Sequence, residues 1–288
     1  MVIADAMCRS TTAMKTFCVI VLCILAFDVR SQVLGADLYY KALEENKLEI
    51  TLNVFYSCIE NPPGIQQVFL LESDNNKAYA PIELKQWKAE KISTVEQSTC
   101  NTNTPCYLKV TYKTTFVLPP IPVAFILNWQ NCCSPIPFEN IDGMKNAGLN
   151  ISVTVPAGYQ KNSSATFNRL PLFEICGDRP SSTGFDANDA DGDSLAYEII
   201  APVASTLNNS SPKNLISYQS FSPVEYKEGY SSLQPFGDNS VKLQQTESRI
   251  ELTPKKRGNF MWAYQVNEYR NKKLISTHQR VLITTVNQ

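Results

Sequence analysis

The sequence predicts an all-β protein, two tandem antiparallel β-sandwiches behind a signal peptide. Three observations carry that reading. The sustained hydrophobic periodicity is two residues rather than 3.6; 17 prolines and loops rich in Asn, Ser and Pro punctuate it; and the exported part holds an even number of cysteines.

The N-terminal stretch "MKTFCVIVLCILAFDVRSQ" has one lysine after Met14, an apolar run from Phe17 to Phe27 and small residues near Ser31. That pattern is a secretory leader over residues 1–31, too short for a stable membrane span, with Met14 as a natural start and a second cut available after Gly35. Without residues 1–31, 23 basic and 25 acidic side chains remain. A charge near −2 gives no electrostatic footprint for nucleic acid, and no later stretch has the length of a membrane helix. The expected product is secreted, extracellular or at the cell surface. It is 43% apolar, enough to bury a core.

The strands follow in order. In "KLEITLNVFYSC", Leu48, Ile50, Leu52, Val54, Tyr56 and Cys58 share one face, with Glu49, Thr51, Asn53 and Ser57 opposite. "YLKVTYKTTFVL" repeats the device, and "VAFILNWQNCC" and "NISVTV" continue it. A short helix is allowed over Glu83–Lys91. These strands make a first domain over 36–156; the irregular, polar 157–170 reads as a linker. The second domain, 171–288, holds "SLAYEIIAP", "SRIELTP" and a long hairpin turning near Arg270–Lys273, with short edge strands and loops over 203–245.

Cys58, Cys100, Cys106, Cys132, Cys133 and Cys176 remain after the leader, and neither Cys-x-x-Cys nor Cys/His zinc spacing occurs, so disulfides are expected. Alternation places Cys58 and Cys133 inward and Cys132 outward, and a bond between adjacent cysteines needs a strained ring. The leading pairing is Cys58–Cys133, Cys132–Cys176, and Cys100–Cys106 across "NTNTP".

"GADLYYKALEENKLEITLNVFYSC", "TFVLPPIPVAFILNWQNCC", "FEICGDRPSSTGFDANDADGDSLAYEIIAP" and "VNEYRNKKLISTHQRVLITTV" occur in this order. Together they resemble the repeat unit of large secreted surface proteins of gliding bacteria, with PKD-like and cadherin-like domains exported by type IX secretion. Asn131 and Ser134 stand where that pattern has basic residues around the paired cysteines. The resemblance implies Ig-, cadherin- or PKD-like sandwiches, the second domain being the cadherin/PKD-like one, and a gliding-motility adhesin role with an extracellular protein or glycan as ligand.

Asp186, Asp189, Asp191 and Asp193 crowd "DANDADGD". Such oxygens suit calcium, although the spacing is not that of an EF-hand; the loop is more like the Asp-x-Asp-Gly loops of cadherin-like domains. Asx-turns leading into a strand explain the same residues without metal. Paired-carboxylate catalysis needs a cleft and separated pKa values, which nothing in the sequence signals. His278, the sole histidine, lies on an alternating strand, and glycine loops and hydrolase motifs do not occur. Trp87, Trp129 and Trp262 are candidates for sugar stacking, but the strand pattern puts Trp129 and Trp262 in the core. The four glycosylation sequons, at Asn150, Asn162, Asn208 and Asn209, are incidental if the chain is bacterial, as the resemblance implies. The expected function is therefore a non-enzymatic adhesion or structural module, with a carbohydrate-binding module of an extracellular glycan-processing system as the alternative.

Overall fold

The computed structural model describes residues 32–44, 46–58, 61–75, 77–92, 106–132, 134, 136–143, 148–158, 162–184, 186–205, 221–237, 240–244 and 249–287. The expected leader, residues 1–31, therefore lies outside the described residues. Among those described, every regular element is a strand, and no helix is long and apolar enough to cross a membrane.

The first seven strands are β1 (Val33–Ala42), β2 (Lys47–Ser57), β3 (Ile65–Glu72), β4 (Ile82–Ile92), β5 (Tyr107–Val117), β6 (Phe125–Asn131) and β7 (Leu149–Val155). They are hydrogen-bonded in the order β1-β2-β5-β4-β3-β6-β7. The last strand, β16 (Lys273–Asn287), pairs antiparallel with both ends of that series, through His278 opposite Val153 and through Gly35 and Ala36 opposite Leu282 and Val281. The eight strands thus form a closed circuit, which leaves no free end to the series. At the closure, a Cβ on Gly35 would stand 2.8 Å from Leu282 Cδ2 and 3.2 Å from the Val281 carbonyl, so glycine is what lets β1 approach β16. Each of the eight strands sends side chains inward, among them Leu38, Leu52, Leu70, Leu84, Val110 and Leu127, and together they fill the interior.

Eight strands follow within the C-terminal half: β8 (Thr166–Phe167), β9 (Glu174–Cys176), β10 (Ser181–Gly184), β11 (Ala187–Asn188), β12 (Ser194–Ile200), β13 (Val241–Gln244), β14 (Arg249–Leu252) and β15 (Gly258–Arg270). The β15–β16 hairpin turns through Asn271 and Lys272, both at positive φ (53° and 64°), as a two-residue turn between twisted strands requires. It lies where the sequence predicts it, as do β2, β5, β6, β7, β12 and β14.

The expected division into tandem domains takes a different form. Residues 32–288 are one compact unit, and a single sheet joins strands from both expected domains. The physical cause is that β15 and β16 bury both faces. Met261, Ala263, Val281 and Ile283 point into the closed circuit, whereas Phe260, Trp262, Tyr264, Val266 and Leu282 point into a second core with Phe173, Phe236, Ile250 and Leu252. One hairpin therefore serves two cores.

Two local expectations are corrected. Residues 82–92 form strand β4, not a helix. Ile82 and Leu84 are buried, but the register shifts between Gln86 and Lys88, and this bulge breaks the alternation. Cys58 bonds to Cys106, with Cα atoms 5.2 Å apart, so the pairs Cys58–Cys133 and Cys100–Cys106 do not form. β2 and β5 are neighbours, and their register sets Ser57 opposite Tyr107, so Cys58 and Cys106 face each other one step further. Cys132 and Cys176 are each disulfide-bonded as well. Cys100 and Cys133 lie outside the described residues.

Candidate functional site

The aspartate loop leads into β12, and its backbone follows from its own side chains. Asp189 Oδ1 accepts hydrogen bonds from the N–H groups of Asp191 (3.0 Å) and Asp193 (2.8 Å), an Asx-type turn, and Gly192 takes the positive φ (83°) inside it. The turn brings Asp189, Asp191 and Asp193 together, each offering a carboxylate oxygen within 4.8 Å of the others. Asp186, the fourth predicted residue, points elsewhere. Arg169 Nε (2.9 Å) and Asn168 Nδ2 (3.1 Å) donate to it. Partial burial alone would raise its pKa, but these donors together hold it below the usual value.

The cluster faces the segment read as a linker. Residues 162–169 instead form a strap laid across β1, β15 and β16. Asn162, Ser164 and Ala165 are buried, each at most 3% exposed. Ser164 exchanges backbone and side-chain hydrogen bonds with Tyr40, and Ser163 Oγ accepts from the Ala42 N–H. Asp191 accepts the Ser163 N–H, while Asp193 takes both Nε and Nη2 of Arg270 (2.7 and 2.6 Å). The same guanidinium donates to Asn162 Oδ1 at 2.8 Å. This bidentate pair raises the Arg270 pKa further. Asp186 grips the far end of the strap through Asn168 and Arg169. In the described structure the acidic loop is a clasp.

Beneath the strap lies a buried polar network. Glu268, 0% exposed, accepts the Ala165 N–H (2.7 Å) and Asn162 Nδ2 (3.3 Å). Desolvation, assisted by the negative charges of Asp189 and Asp193, pushes its carboxyl up to about 7. His278 Nδ1 donates to the Ala165 carbonyl (2.9 Å), and Nε2 is buried without a hydrogen-bond partner. Burial lowers its pKa to about 4, so the imidazole is neutral near pH 7. Arg280 makes a bidentate pair with Asp37, both bonds 2.6 Å, and also donates to Tyr264 Oη and the Arg169 carbonyl. Phe167 of the strap covers this guanidinium, 3.9 Å from ring centroid to Cζ.

Sequence reasoning missed the strap, Glu268 and Asp37. Their polar letters inside apolar strands were the available signal. The tryptophans divide as expected. Trp129 and Trp262 are buried, their indole N–H groups bonded to Gln66 and Thr284, while Trp87 is 74% exposed. Asn150 and Asn162 are buried, so these two sequons are closed in the folded chain; Asn208 and Asn209 lie outside the described residues. A cavity of about 320 Å³ lined by Glu228, Tyr230, Phe236, Lys255 and Lys256 includes none of the predicted site residues.

No family model matches the chain, and no curated protein or solved structure matches it either.

Proposed function

We propose that this protein is a secreted, non-enzymatic structural or adhesion module that presents its outer strands and loops to an extracellular protein or glycan. The observation that supports this best is where its reactive side chains go. Glu268 and His278 tie the strap backbone at Ala165 to β15 and β16, and Arg280 ties β16 to Asp37 of β1, so these side chains are consumed as internal cross-ties, the use expected of a structural scaffold rather than of a substrate cleft. The ordered resemblance to secreted surface repeats of gliding bacteria, with their tandem PKD- and cadherin-like sandwiches, supports the same reading. A tagged full-length chain should be recovered outside the producing cell, and deleting its gene should weaken surface attachment. Retention of the folded chain inside the cell would overturn the proposal.

A second reading adds calcium at Asp189, Asp191 and Asp193. The favouring observation is Asp189 Oδ2, which is buried with no hydrogen-bond partner. Arg270 already neutralises part of the cluster, so a cation would be held chiefly through Asp189 and Asp191. Binding to the folded chain alone would add about 2.7 kcal/mol at a hundredfold excess over the dissociation constant. Melting temperature should then rise with calcium, and Asp191→Asn should abolish the rise. A melting curve that is the same in calcium and in chelator leaves the loop as a clasp only.

A further inference from the structure

We propose that the outer face of β4 and β5 around Trp87 docks an acidic polysaccharide. Trp87 stands at the β4 bulge, between Gln86 and Lys88, where one extra residue re-aims a side chain. It is the sole aromatic among the large apolar side chains exposed in the described residues, and Ile65, 51% exposed, belongs to the strand position opposite Lys85. Leaving an indole in water forfeits the burial that holds Trp129 and Trp262 in place.

Lysines lie beside it, among the carboxylates of Glu49, Glu83 and Glu90. Lys113 Nζ lies 6.0 Å from the Trp87 ring centroid, and Lys113 is directly opposite Lys85 in the β4–β5 register. Like charges so placed destabilise a sheet, and an anion bound between them would relieve that cost. Lys88 follows on β4, paired with Glu90, and Lys113 is shared with Glu49; Lys85 makes no ion pair among the described residues. β4 lies between β5 and β3, but its described ladder with β3 ends at Lys85, so edge protection accounts for Lys88 and Lys91. It does not account for Trp87, nor for Lys113 on β5, which has neighbours on both sides.

The chemistry selects the ligand. An indole face stacks on the C–H face of a sugar ring, and flanking ammonium groups take its carboxylate or sulfate. Single-stranded nucleic acid would call for successive aromatic platforms, and protein interfaces are depleted in lysine. The inference deepens the module reading and rests on it only in that the ligand is extracellular. Binding is measured on purified protein, so a failure of export and a failure of docking are seen separately.

The full chain should be titrated at low ionic strength with polygalacturonate, its methyl ester, polyglutamate and oligothymidylate, following the fluorescence of the exposed indole and its quenching by acrylamide. Polygalacturonate should bind and shield Trp87. Trp87→Ala and Lys85→Glu should each weaken binding, read by affinity electrophoresis, about tenfold without lowering the melting temperature, which Lys85→Glu should raise slightly by placing a carboxylate opposite Lys113. The methyl ester, which keeps the ring and loses the charge, and polyglutamate, which keeps the charge and loses the ring, should both bind weakly. The proposal is overturned if polygalacturonate does not bind, if Trp87→Ala binds it unchanged, or if polyglutamate or oligothymidylate binds as tightly.

Discussion

The two cores on either side of β15–β16 are built by different means. The closed circuit has strands of seven to fifteen residues, and its filling is mostly aliphatic: Leu, Val and Ile from eight strands. The second core is walled partly by strands of two to four residues, β8, β9, β10, β11, β13 and β14. Its filling is about half aromatic. Phe236 stands 5.1 Å from Phe260 and 5.8 Å from Trp262, and Phe173 packs against Phe55 and Tyr107. Where ladder hydrogen bonds are few, large rings and charge-assisted side-chain bonds take over the task of fixing the chain. The second region should therefore be the more sensitive to loss of single polar groups.

The sharpest way to break that contrast is Arg280→Met. It leaves Asp37 buried without its partner and frees the strap carbonyl at Arg169, and should cost about 3–5 kcal/mol in denaturant unfolding. The double variant Asp37→Leu/Arg280→Met should recover much of that loss, since the uncompensated charge has gone. An equal loss in both would show that packing, not charge, sets the effect.

Opening Cys58–Cys106 tests the ladder-rich side. The cysteines are separated by 48 positions, and chain entropy gives about 4 kcal/mol as the most such a bond contributes. With β2 and β5 paired along their whole length, Cys58→Ser with Cys106→Ser should lower stability by no more than this while leaving the β signal in circular dichroism intact. Loss of the β signal would mean that the crosslink, rather than the ladder, holds this region.

Smaller effects belong to the network under the strap. Glu268 has a folded pKa of about 7 against an ordinary 4.5, so its contribution is full below 4.5 and is lost as pH rises through 7. His278 has a folded pKa of about 4 against 6.5, so its contribution is full above 6.5 and is lost as pH falls toward 4. The two slopes oppose each other over nearly the same window, each at most about 1.4 kcal/mol per pH unit. Relative to the wild type, Glu268→Gln should gain stability as pH rises from 4.5 to 7, and His278→Asn should gain it as pH falls from 6.5 to 4. Parallel curves for either variant and wild type would remove that residue from the titration.

What was legible in the sequence was whatever one strand records by itself. β2, β5 and β7 alternate because one face meets the aliphatic core and the other carries mostly polar residues, with Phe55 of β2 reaching the second core. β1 did not stand out because a bulge between Val33 and Gly35 sends Leu34 to the second core while Ala36 and Leu38 face the first, which breaks the alternation. β4 was hidden by its bulge and by Lys and Glu letters that also suit a helix. Pairing between distant strands leaves no local mark, so alternation missed Cys106, and it set Cys58 inward whereas Cys58 is exposed just past the end of β2. The aspartates were visible as a cluster. Their grip on the strap was not, because it joins Asp191 to Ser163 and Asp193 to Arg270, across 28 and 77 positions.

Differential scanning calorimetry of residues 32–288 tests the shared hairpin most directly. Because β15 and β16 complete both cores, neither can melt and leave the other intact. Heating should give one transition whose calorimetric and van't Hoff enthalpies agree. Two resolved transitions, one of them retained by a fragment ending at residue 156 and lacking β16, would contradict it.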